Sequence, residues 1–126
     1  MERSASILIV DDHAETCRGL ARLLRHAGHD SVCLHSGDAA LAYLSHNADL
    51  PDLVILDVMM PGTDGMEVLR RVRADPRTQE VPVVMFSALG DDQSRAEAMR
   101  HGANDYWVKG RFDYTQIQDK VGAHLH

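Results

Sequence analysis

Cysteine is scarce in this chain: Cys17 and Cys33 are the only two, and they show no Cys-x-x-Cys spacing. They imply neither a disulfide scaffold nor a thiolate metal site, and both read as buried thiols, one on an apolar helix face and one in a strand. The histidines, at positions 13, 26, 29, 35, 46, 101, 124 and 126, include no His-x-x-x-His pair, so they read as surface residues. No apolar stretch approaches the ~20 residues that a membrane-spanning helix needs. Met1-Glu2-Arg3-Ser4 leads into a strand rather than a signal peptide, so the expectation is a cytoplasmic protein with no membrane partner. The formal net charge is -6, and Arg70, Arg71 and Arg73 read as a solvated helix end favoured by the helix dipole rather than as part of a basic stripe. Direct binding of nucleic acid is not expected. Nor is there a repeat, a low-complexity tract or a linker, which predicts one domain over 1–126 with no appended output domain.

What the chain does contain is a set of short, near-continuous apolar runs: Ile7 to Val10, Leu53 to Leu56, and Val83 to Phe86, the last closing on Ser87. Their length and flanking turn formers fit strands buried on both faces of a parallel sheet. Between them lie amphipathic helices. Glu15 to Ala27 carries Cys17, Leu20 and Leu24 at helical spacing, with Gly28 as a left-handed stop. Ser31 to Leu34 is a weak edge strand, and Ser36 caps a helix that turns Ala40, Leu41 and Leu44 inward. Asp64-x-x-Glu67 forms a capping box for a helix through Val68, Leu69 and Val72, and Asp75-Pro76 ends it. A strand starting near Val81-Pro82, a helix over 92–100 ended by Gly102 and a strand at 106–108 follow; Asp113-x-x-Gln116 then caps a last helix with Tyr114, Ile117 and Val121 on one face. Met66 and Met99 read as helix packing, and Trp107 as packing or partner surface. Five strands alternating with five helices predict an α/β, doubly wound parallel sheet that binds ligands beyond the carboxyl ends of its strands.

Just past those runs stand Asp11 with Asp12, then Asp57, and finally Lys109. If the three carboxylates converge, each raises the pKa of the others unless a cation enters, and Mg2+ suits such an oxygen donor set. Three carboxylates, one divalent ion and the Lys109 ammonium are together formally neutral, so a phosphate dianion could approach for in-line attack.

Over essentially its whole length the chain resembles a response-regulator receiver domain of two-component phosphorelay signalling. The resemblance rests on Asp11-Asp12, on Asp57-Val58-Met59-Met60-Pro61-Gly62-x-Asp64-Gly65, on Ser87-Ala88 and on Lys109, all in family order and spacing. It implies a flavodoxin-like (βα)5 fold with strand order 2-1-3-4-5, the order that general fold rules already cite for a member of this family. It further implies that Asp57 accepts a phosphoryl group from a sensor histidine kinase or histidine phosphotransfer protein. Asp12, Asp57 and the Met59 carbonyl would hold Mg2+, with Asp11 acting largely through water. Lys109 and Ser87 would meet phosphate oxygens, and Tyr106 would be an aromatic switch coupling the site to a downstream protein target through the α4-β5-α5 face. No enzyme activity is implied beyond self-phosphorylation and slow dephosphorylation, and a phosphorylation-dependent homodimer is left open. Met59 and Leu89 hold the two positions that tune hydrolysis in the family, and both are apolar, which implies slow loss of phosphate.

The family usually follows the lysine with proline, whereas here the order is Lys109-Gly110-Arg111-Phe112. That departure motivates the alternative of a degenerate receiver that docks proteins without phosphorylation. A metal-dependent phosphatase would need a second acid two residues after Asp57, where Met59 stands.

Overall fold

The computed structural model describes residues 4–125, so the expectations for Met1, Glu2, Arg3 and His126 lie outside the described residues. Five parallel strands, β1 (Ser6–Val10), β2 (Asp30–Leu34), β3 (Leu53–Leu56), β4 (Val83–Ser87) and β5 (Asp105–Val108), form one sheet in the order β2-β1-β3-β4-β5. The connecting helices are α1 (Ala14–His26), α2 (Gly37–His46), α3 (Gly65–Ala74), α4 (Asp92–Arg100) and α5 (Ile117–Gly122).

Burial on both faces explains the uninterrupted apolar runs. Ile7, Ile9, Leu53, Ile55, Val84, Phe86 and Trp107 pack on one face with Cys17, Leu20 and Leu24 of α1 and Ile117 and Val121 of α5. Their alternates, Leu8, Val10, Val54, Leu56, Val83, Met85, Tyr106 and Val108, pack on the other face with side chains from α2, α3 and α4. Covering an aliphatic side chain of this kind stabilises the fold by ~1.5–3 kcal/mol relative to leaving it in water.

The helix boundaries follow local chemistry. Ser36 accepts from the Ala39 amide at 3.1 Å, Asp64 from Glu67 at 3.0 Å and Asp91 from Ser94 at 2.9 Å, each satisfying an amide that α2, α3 or α4 leaves open. Gly28 and Gly102 end α1 and α4 with φ of 90° and 99°, a region that costs glycine little.

Several expectations need correction. Cys33 is only half-buried, because β2 is an edge strand. β4 starts at Val83 rather than near Val81-Pro82. The Glu67 side chain bonds Arg71 Nε at 2.8 Å and also pairs with Arg70 instead of reaching back to close the capping box. Met99 is exposed, whereas Met66 is buried. His29 is buried, its Nδ1 accepting from the Ala5 amide at 3.0 Å. The last helical segment opens as a 3-10 turn over Tyr114–Gln116, leaving Tyr114 exposed with its ring edge against Phe112 and Phe86. Arg73 is half-buried rather than freely solvated; its guanidinium donates to three backbone carbonyls and to Asn104.

Candidate functional site

Parallel pairing brings distant residues together at the carboxyl end of the sheet. Val10 pairs with Leu56 in adjacent β1 and β3, so Asp11 and Asp57 emerge side by side, and the Asp57 amide donates to the Val10 carbonyl at 2.9 Å. Ser87 pairs with Val108 at the ends of β4 and β5, which starts Lys109 one residue beyond. The Lys109 side chain crosses back over the sheet. Its Nζ lies 2.7 Å from Asp11 Oδ2, 3.4 Å from Asp57 Oδ2 and 5.7 Å from the Phe86 ring centroid.

One ligand atom from each of Asp11, Asp12, His13 and Asp57 lies within 4.8 Å of the others. Asp11 and Asp57 are 2% and 3% exposed, whereas Asp12 sits at the rim. Burial first, and then the neighbouring Asp11 charge, push the Asp57 carboxyl above its ordinary range, against the pull of Lys109. For Lys109, burial favours the neutral amine, but Asp11 and Asp57 outweigh it and raise the ammonium pKa. A hard divalent cation fits this donor set: carboxylate oxygens predominate and converge, and one resident cation does not balance them.

The loop after β3 is held tightly. Gly65 opens α3 with its amide on the Val58 carbonyl at 2.9 Å, and a Cβ at this position would stand 2.0 Å from the Asp57 carbonyl oxygen. Only glycine lets the α3 start approach the loop that aims Asp57. Met59 is 55% exposed, and its amide donates to Asp57 Oδ1 at 3.2 Å. With Val58, Met60, Pro61, Asp64 and Leu89, Met59 lines an open, mostly apolar cavity of about 490 Å³ beside the site.

Ser87 is fully buried and its Oγ accepts from the Leu89 amide at 3.1 Å. Tyr106 is also buried, and its hydroxyl donates to the Leu89 carbonyl at 2.7 Å, so both expected switch residues grip the same loop residue. Burial raises the Tyr106 pKa. Arg95 of α4 covers the ring, its guanidinium carbon 5.3 Å from the centroid. After β5, Lys109–Arg111 forms a 3-10 turn with no cis bond among the described residues, and Arg111 donates to the Gly90 carbonyl at 2.9 Å. The stretch that lacks proline is therefore tied to the β4-α4 loop by a side chain.

Of the residues singled out in the sequence, the structure brings Asp11, Asp12 and Asp57 together with Lys109, sets Met59 beside Asp57, and joins Ser87 and Tyr106 through Leu89. His13, read from the sequence as a surface residue, is 67% exposed and yet reaches the acid pair. Its Nδ1 stands 3.1 Å from Asp11 Oδ1 and 3.2 Å from Asp12 Oδ1. Adjacency to the acid pair was the available signal. His35 also enters, its Nδ1 3.0 Å from the Asp11 carbonyl oxygen, a contact that β1-β2 pairing creates.

Residues 7–121 match the family model described as "Response regulator receiver domain". The response regulator PleD of Caulobacter vibrioides is 40% identical over 106 residues, which are 84% of this chain and 23% of PleD. The probable transcriptional regulator ycf27 of Guillardia theta is 40% identical over 99% of this chain and 47% of its own length. The chain thus spans from 23% to 51% of the length of the curated relatives it matches. Among solved structures, the BeF3-activated N-terminal receiver domain of Klebsiella pneumoniae RstA is 30% identical over 96% of this chain and 98% of that one, with a TM-score of 0.86. The Mn(2+)-bound form of the response regulator Rcp1 is 25% identical over 97% of this chain and 95% of that one, with a TM-score of 0.85.

Proposed function

We propose, from the premise that this chain belongs to the response regulator receiver domain family, that Asp57 is its phosphoacceptor and that residues 1–126 act as one receiver unit. The observation that carries this reading is the convergence of three carboxylates within 4.8 Å, with the Lys109 ammonium 3.4 Å from Asp57. A carboxylate oxygen of Asp57 attacks the phosphorus of a phosphohistidine; the O–P bond forms, the P–N bond breaks, and the imidazole leaves with the electron pair and takes up a proton. The partner is a sensor histidine kinase or a histidine phosphotransfer protein.

Asp12, Asp57 and the Met59 carbonyl are the direct Mg2+ ligands in this proposal, and Asp11 acts through water. When bound, the ion supplies neutralisation of the phosphoryl oxygens and of the acids around them. Lys109, within 2.7 Å of Asp11 Oδ2 and 3.4 Å of Asp57 Oδ2, balances the remaining charge. The Ser87 hydroxyl turns from the Leu89 amide toward a phosphate oxygen. Because Tyr106 holds the carbonyl of the same Leu89, that turn changes the loop entering α4 and hence the α4-β5-α5 surface offered to a downstream protein. The apolar Met59 and Leu89 cannot orient water, so the acyl phosphate is long-lived.

Intact-mass spectrometry after incubation with acetyl phosphate and Mg2+ tests the reading. The expected result is one added phosphoryl group that decays slowly over the time course and is absent in Asp57→Asn or after chelation. No addition to the wild-type chain would favour a phosphorylation-independent docking module instead.

A further inference from the structure

We infer that His13 is a ligand of the divalent-cation site and biases it toward transition-metal ions such as Mn2+ over Mg2+. This rests on the metal-assisted reading of the acidic cleft but adds a residue and a selectivity to it. Neighbouring donors on an octahedral ion at ~2.1 Å sit about 3 Å apart. The His13 Nδ1 distance of 3.2 Å to Asp12 Oδ1, a direct ligand in that reading, has this spacing, and the imidazole, 67% exposed, also hydrogen-bonds Asp11 Oδ1 at 3.1 Å. Its nitrogen belongs to the converging set, within 4.8 Å of a carboxylate oxygen of Asp57 as well.

Local structure aims the ring. His13 is the residue before α1, in extended conformation, and its side chain makes no capping bond to the helix. Its own amide donates to Asp11 Oδ1 at 2.9 Å, which fixes the backbone over the cluster and leaves the imidazole pointing at the acids. His35 differs: its Nδ1 lies 3.0 Å from the backbone carbonyl oxygen of Asp11, and it is not among the residues whose ligand atoms converge.

The consequence follows from donor chemistry. Mg2+ gains little from an imidazole nitrogen and is satisfied by carboxylates, carbonyls and water, whereas later divalent ions of the first transition series gain increasingly from nitrogen donors. An all-oxygen cleft would discriminate weakly between Mg2+ and Mn2+. One with His13 in it favours Mn2+.

The test uses the full chain with Mn2+ alone, then Mg2+ alone, at pH about 8, where free imidazole is neutral. Pulsed electron paramagnetic resonance of the Mn2+-loaded protein is expected to show 14N coupling in wild type and in His35→Ala, and none in His13→Ala. Titration calorimetry is expected to show the Mn2+ preference falling about tenfold in His13→Ala, with Mg2+ affinity nearly unmoved. Absence of 14N coupling in wild type, or an unchanged preference in His13→Ala, overturns the assignment of His13 while leaving the acidic cleft intact. Binding of both ions that is indifferent to Asp12→Asn overturns the imidazole assignment and the metal-binding reading of the cleft together.

Discussion

The two ends of the sheet satisfy their charged side chains in opposite ways. At the amino end Arg73 reaches from α3 to donate to the carbonyls of Gly102 at 2.9 Å and Val81 at 2.7 Å and to Asn104 Oδ1 at 2.8 Å, and Arg77 donates to the carbonyls of Leu44 and Asn47. These cations meet neutral oxygens that need donors, so the bonds are complete within the chain. At the carboxyl end Asp11 and Asp57 are buried against each other, and Lys109 is shared between them. One end is a closed structural joint. The other carries a charge imbalance that an added cation would relieve, and this difference supports the proposal that it is the functional end.

The largest effect that would sharpen this contrast is expected from Arg73→Ala. Its loss removes the guanidinium from three backbone carbonyls, those of Gly102, Gln79 and Val81, while Asn104 Oδ1 keeps the Val83 amide, and should lower unfolding free energy by about 3 kcal/mol in urea denaturation, whether or not Mg2+ is present. Next, Lys109→Ala should cost about 2 kcal/mol in metal-free buffer, because two buried carboxylates lose their counter-charge. Millimolar Mg2+ should restore most of that loss by mass action, and failure to restore it would erase the distinction between the two ends.

Asp57→Asn should act in the reverse direction, stabilising the metal-free protein by about 1 kcal/mol at neutral pH. The sign comes from the raised folded-state pKa of Asp57. Between the unfolded and folded pKa values the folded state binds more protons, so wild-type stability falls as pH rises through that window. The gain in Asp57→Asn should therefore be full above it and vanish below about pH 4, which urea midpoints across an acid series would check. The smallest effect is expected from Arg111→Ala, about 0.5 kcal/mol for one exposed tie to Gly90. A midpoint shift as large as that of Lys109→Ala would make the β5-α5 loop part of the structural frame rather than an accessory to the site.

Much of this was legible along the chain because its causes are local. The apolar runs at 7–10, 53–56 and 83–86 could bury themselves only as strands covered on both faces, Ser36 and Asp64 capped where they stood, and Gly28 and Gly102 ended helices. Site acids stood out because carboxylates immediately after such runs have no packing reason to be there. What escaped notice depended on partners far away in sequence. Arg73 looked like one of three arginines on a helix end until the loop before β5 supplied its acceptors. His29 looked exposed until Ala5 offered an amide, and Met99 looked buried although α4 leaves it 46% exposed.

By itself the sequence determined which segments are strands and helices and which residues end each strand, because hydrophobic periodicity, caps and glycine conformations act within a few residues. The convergence of Asp11, Asp12 and Asp57 on one cleft, the reach of Lys109 across it, the entry of His13 and the shared hold of Ser87 and Tyr106 on Leu89 were decided only by tertiary structure. Those relations are distances between chain segments tens of residues apart, and they exist only once the sheet fixes the strand order and register.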